Sequence, residues 1–166
     1  NEEQNSCEDN GGGGGGTNNG PYEYIYLSEL DGLQSSDLYS SGFLYYPIDA
    51  IPPYKSVVLI DAFGSEPGLI NWAQFYASHG YIAMSIGNLD ETLRDSNSDW
   101  DYMDRAIALL SAIETVKLEN ERQTSPLFNM IDTSSFAVSG YSTSGGGAHT
   151  ALTIDSTLKT GILLNP

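Results

Sequence analysis

The 166-residue chain is 40% hydrophobic, with 11 Tyr, 5 Phe and 2 Trp, which is enough apolar matter for one domain with a real core and too much for a disordered chain. Asp and Glu number 22 against 6 Lys and Arg; the net charge of -16 repels nucleic-acid phosphates and anionic membrane faces, so neither is expected as a partner. No apolar run approaches the ~18 residues of a membrane helix, and the single cysteine, Cys7, excludes an internal disulfide and leaves no Cys/His cluster with zinc spacing.

In chain order, residues 1–20 read as a low-complexity tail or linker, with glycines unbroken over 11–16. Ordering such a run costs maximal backbone entropy, so a flexible spacer is expected. The polar stretch before Cys7 lacks the apolar segment of a lipid-anchor signal, and the start at Asn1 rather than Met reads as processing; it suits the tail of a mature secreted, surface-tethered protein. The ordered domain is expected over 21–166. Residues 22–27 and 42–47 are aromatic and β-branched strands, the second stopped by Pro47. A continuous apolar run marks 56–63 as a strand covered on both faces. A helix is predicted over 67–79, with Gly80 just past its end, and a buried strand over 81–86. The longest helix is predicted over about 99–120. Met103, Ile107, Leu110, Ile113 and Val116 form its apolar stripe; Asp99 is its cap, and Asp101 and Asp104 suit its positive end. A strand over 135–140, a helix over 144–153 and a strand over 160–164 complete the series.

Strands alternating with helices after two leading strands predict an α/β fold: a doubly wound, mostly parallel sheet with helices on both faces. The sequence stops at Asn165-Pro166, directly after a strand, where such a sheet would rarely end. A domain truncated after its sixth strand is therefore expected.

The chemistry concentrates at 136–148. An apolar strand runs into Gly140-Tyr141-Ser142-Thr143-Ser144-Gly145-Gly146-Gly147 and then a helix, the context of a nucleophile elbow. Small residues two before and two after the nucleophile let strand and helix approach. Gly140 meets the first requirement; Ser144 is small but is not the usual glycine. The helix that follows turns its positive end to the site. Ser142 is the candidate nucleophile, and Ser144 is the alternative in a second register. The plain alternative is a glycine-rich turn with incidental serines. A phosphate loop fails for want of a Lys-Ser/Thr after the glycines, and a dinucleotide fold fails on glycine spacing.

These residues, with others in order along the chain, resemble the cutinase-like polyester hydrolases of the α/β-hydrolase superfamily, which include PET hydrolases and actinobacterial cutinases. The likeness is carried by Gly20-Pro21-Tyr22, Tyr45-Tyr46-Pro47, Ala77-Ser78-His79-Gly80-Tyr81, Ser125-Pro126-Leu127-Phe128 and Ile131-Asp132-Thr133 ahead of the elbow. It spans about 20–166, and the ungapped spacing favours Ser142 over Ser144. It implies a serine esterase acting through an acyl-enzyme on short acyl esters or polyesters, as a monomer and without a cofactor. The oxyanion would be held by the backbone N–H groups of Thr143 and of Phe63, in the loop after the third strand, with the Phe63 ring as a wall for the acyl group. A core aromatic is the plain alternative for Phe63. Asp61-Ala62 stands where the family often has Pro-Gly; a carboxylate there would oppose an oxyanion, so it should point away or be paired.

The chain has two histidines. His79 falls at a helix end, away from the expected active edge. His149 lies seven residues after Ser142, about 10 Å along a helix. Both are read as structural, so the base and its orienting Asp are expected beyond Pro166. Asp95, Asn97, Asp99 and Asp101 mimic the opening of a calcium loop, but Trp100 and Ala106 replace its Gly and Glu, so a solvated capping loop is preferred.

Overall fold

The apolar run at 57–60 lies wholly inside the molecule, as a strand covered on both faces must. The computed structural model describes residues 20–89 and 102–166. Within them, strand β3 (Tyr54–Ile60) is flanked by parallel β4 (Ile82–Ile86) and β5 (Ile131–Tyr141). β6 (Thr160–Leu164) extends the parallel part beside β5. β2 (Gly42–Pro47) runs antiparallel to β4, and β1 (Tyr24–Leu27) antiparallel to β2. The six-stranded order is β1-β2-β4-β3-β5-β6. Ile60 pairs with Ile86 on one side and Gly140 on the other. The carboxyl ends of β3, β4 and β5 are thereby level, and the loops that leave them share one edge of the sheet, where open α/β sheets place ligands.

Side chains alternate across the sheet with a period of two. Val57 and Leu59 of β3, with Tyr45 and Ala83, pack on Ala73 and Ala77 of helix α1 (Ile70–Ser78). Val58 and Ile60, with Met84, Ile86 and Val138, face helices α2 (Tyr102–Glu121) and α3 (Thr143–Ile154). Among the described residues, one α-helix on one face and two on the other make the doubly wound α/β architecture that the sequence predicts.

Several boundaries move. β1 begins at Tyr24 rather than at 22. α1 begins at Ile70 rather than at 67, because Leu69 is left-handed (φ 52°, ψ 26°) and holds Pro67-Gly68 in the preceding loop. β3 ends at Ile60, so Phe63 lies in a loop rather than in a strand. β5 starts at Ile131, four residues early, by pairing Ile131 with Tyr54 across a register irregularity. The tail at 1–19, the Asp99 cap, Asp101 and the calcium-like stretch lie outside the described residues.

The predicted stripe on α2 needs correction. Met103 and Ile107 are 43% and 38% exposed, and Leu110 is only partly buried. The buried face is instead Arg105, Ala106, Ala108, Leu109, Ala112, Ile113, Thr115, Val116 and Glu119. Small residues decide this. A Cβ at Gly147 of α3 would overlap the Arg105 Cβ, so α2 and α3 meet where side chains are shortest and close packing is greatest. At the far end of α2, buried Glu119 accepts from Arg122 at 2.5 Å and from the Ser125 hydroxyl at 2.6 Å.

Candidate active site

β5 ends at Tyr141 and α3 begins at Thr143, so the chain reverses over the single residue Ser142. Ser142 has φ 52° and ψ -125°, a conformation that costs a non-glycine residue on the order of 1–3 kcal/mol and survives only where the surroundings over-determine it. They do so here. The Ser142 N–H donates to the Leu164 carbonyl at 2.9 Å, and the Ser142 carbonyl accepts from Gly145 N–H at 2.7 Å. At Gly140 a Cβ would overlap the Ser144 carbonyl oxygen, so only glycine lets the strand pass this close to the helix. Ser142 is half-buried. The N–H of Thr143, in the first turn of α3, belongs to the set that no helix satisfies internally, and the positive end of the helix lies there.

Ser144 is fully buried, and its hydroxyl donates to the Asp61 carbonyl at 2.7 Å. The second register thus has its oxygen already engaged within the core.

Asp61 opens the loop that leaves β3. Its Oδ1 accepts the Ala62 N–H at 2.7 Å, and its side chain lies against Gly68, where a Cβ would overlap it. The carboxylate is folded back onto its own loop. Phe63 is 57% exposed, so it is not a core aromatic. Asn88, two residues past β4, reaches under this loop. Its side-chain amide donates to the Asp61 carbonyl at 3.1 Å, and its backbone N–H donates to the Gly64 carbonyl at 2.9 Å. Buried Arg105 donates from Nη2 to the Ala62 carbonyl at 3.2 Å. The loop carrying Phe63 and the turn carrying Ser142 therefore adjoin at one sheet edge, joined by the bond between Ser144 and Asp61.

Neither histidine joins them. His79 follows the last residue of α1 and precedes β4, which puts it at the amino edge of the parallel strands. There Nδ1 lies 2.8 Å from the Phe75 carbonyl, and the ring sits 4.2 Å from that of Phe75. His149 is exposed on α3, about two turns along the helix from Ser142. Among the described residues no three His, Cys, Asp or Glu side chains converge as metal ligands, and no helix is long and apolar enough to cross a membrane.

Sequence reasoning missed Asn88 and Arg105. Arg105 falls in the buried phase of α2 once alanines are counted as core, and a buried arginine needs acceptors. Nothing local marks Asn88 beyond its place just after a buried strand.

Residues 18–166 match the model of the PETase family, described as PET hydrolase-like. Two cutinases of Thermobifida alba, est1 and est2, are each 28% identical to the chain over 132 residues, 79% of its length. The chain spans about two fifths of these relatives, 41% of est1 and 40% of est2.

Proposed function

The chain belongs to the PET hydrolase-like family, and on that premise we propose that it carries the nucleophile and oxyanion hole of a serine carboxylic-ester hydrolase. Ser142 Oγ attacks the ester carbonyl carbon. The carbonyl oxygen takes the negative charge and accepts hydrogen bonds from the N–H groups of Phe63 and Thr143. Collapse breaks the bond to the alcohol oxygen, and the alcohol leaves with the proton given up by Ser142. Water then adds to the acyl-enzyme, releases the acid and returns the proton to Ser142. The proton carrier is a histidine oriented by an aspartate, both supplied by sequence outside these residues, since His79 and His149 stand away from the turn. The exposed ring of Phe63 offers a wall for the acyl group.

The observation that carries the reading is the backbone of Ser142 at φ 52° and ψ -125° between a strand and a helix. Strain at one serine, in front of a helix N-terminus, is what presentation of a nucleophile requires. Short acyl esters and polyesters are the proposed substrates, on family membership and on the printed names of the cutinase relatives. The acidic charge and the glycine-rich segment fit an enzyme acting outside the cell, tethered to its surface.

The test is hydrolysis of p-nitrophenyl esters, with labelling by a serine-directed phosphonate. The full-length protein, with its histidine and aspartate, should turn over the ester and label at Ser142; Ser142→Ala should abolish labelling and lower kcat by about 10⁴-fold or more, and residues 1–166 alone should hydrolyse only very weakly. A folded full-length protein that neither labels nor hydrolyses is instead a non-catalytic member of the fold, at most a binding module.

A further inference from the structure

We infer that Ser144 and Arg105 are positioning residues that hold the Asp61–Phe63 peptides, and hence the Phe63 N–H, in register with Ser142. This rests on the ester-hydrolase reading above. The argument starts from the peptide plane: a trans peptide points its carbonyl and its N–H in opposite directions. The N–H of Phe63 shares a peptide with the carbonyl of Ala62, and that carbonyl accepts from the buried guanidinium of Arg105 at 3.2 Å. A charged donor on the carbonyl fixes the plane on its far side from the N–H, and it polarises the peptide so that the N–H becomes a stronger donor. The preceding peptide is held in the same way. Its carbonyl, that of Asp61, accepts from the Ser144 hydroxyl at 2.7 Å and from Asn88 at 3.1 Å.

Ser144 differs from the other two anchors. It is the second residue after Ser142 and sits in the first turn of α3, so its bond ties the oxyanion loop directly to the segment that presents the nucleophile. The position where a glycine would serve for closeness alone carries a hydroxyl that spans to the opposite loop. A drift of the loop away from Ser142 has to break that bond, and oxyanion donors lose their value when displaced by a fraction of an ångström.

The test compares the full-length parent, which carries the histidine and aspartate, with its Ser144→Ala and Ser144→Gly variants. Each is read by kcat and KM on a p-nitrophenyl ester and by the Kd of a phenylboronic acid, whose tetrahedral serine adduct presents an oxygen to the oxyanion hole. Both variants are expected to lose about tenfold in kcat and tenfold in boronate affinity, with KM held within twofold. A reversible loss of folded molecules raises apparent Kd and KM by the same factor, so their ratio is informative even if one variant is poorly stable. Arg105→Gln should shift the same ratio in the same direction. Ser142-dependent turnover in the parent, with kcat and boronate Kd unchanged within twofold in both Ser144 variants, would overturn the clamp alone. A parent without Ser142-dependent turnover would overturn the hydrolase reading, and the clamp with it.

Discussion

The Ser142 N–H donates to the Leu164 carbonyl at 2.9 Å, one step beyond the last ladder pair, Tyr141 with Leu164. The strained residue is therefore tied to the end of the neighbouring strand, and the parallel pairing of β5 and β6 helps to hold the bend open.

Strain of this kind has a measurable sign. Ser142→Gly keeps the backbone path and removes the Cβ penalty, on the order of 1–3 kcal/mol, while adding about 0.5–1 kcal/mol of unfolded-state entropy. The net expectation is a stabilisation of about 1 kcal/mol, read as a higher urea midpoint with an unchanged slope. Ser142→Ala keeps the Cβ and should gain nothing, so the difference between the two variants isolates the backbone. A Gly variant less stable than the Ala variant would show that Ser142 is not strained.

At Gly147 propensity and packing disagree. Alanine is favoured over glycine inside a helix by about 1 kcal/mol, yet the new Cβ would overlap the Arg105 Cβ. A Cβ cannot swing aside, so α2 and α3 must part, at about 1–3 kcal/mol. Gly147→Ala is expected to lower the thermal midpoint, and a raised midpoint would refute the close contact.

Arg122 and Glu119 should respond unequally. The Glu119 side chain is wholly buried and that of Arg122 is 24% exposed. Arg122→Ala strands a carboxylate with, among the described residues, only Ser125 beside it, at about 3–5 kcal/mol. Glu119→Gln leaves an arginine that can still reach water, at about 1–2 kcal/mol. Chemical denaturation of both variants checks the order, and equal losses would contradict the burial difference.

Alkaline pH should weaken the fold. Burial raises the phenols of Tyr39, Tyr45, Tyr46, Tyr54 and Tyr76 above their ordinary value of 10.0. A group whose pKa is raised on folding contributes stability that is complete below its unfolded value and is lost as pH rises through the folded value. Stability is therefore expected to hold up to about pH 10 and to fall beyond it. Tyrosinate absorbance should show these five titrating above 10. A single titration near 10 that coincides with retained structure would count against it.

The parallel core was legible because β3, β4 and β6 are short apolar runs between polar breaks, and the elbow because Gly140-Tyr141-Ser142 follows such a run directly. α1 began later than expected since nothing in Leu69 announces a left-handed backbone. The inner face of α2 was hidden because Ala106, Ala108 and Ala112 carry little hydrophobic signal, while exposed Met103 and Ile107 carry more. The supports of the Phe63 loop were invisible for another reason. They are side-chain bonds to backbone carbonyls between residues 27 to 83 positions apart, and only the folded topology brings those together.

The Gly147–Arg105 seat has a practical corollary for anyone mutating this molecule. Random libraries that tune turnover should return hits at the start of α2, remote from Ser142 in sequence, because any bulk added where Tyr102 and Arg105 meet Gly146 and Gly147 must part the two helices and shift the leading turn of α3. Rate and thermostability will trade against each other there, one methyl group at a time.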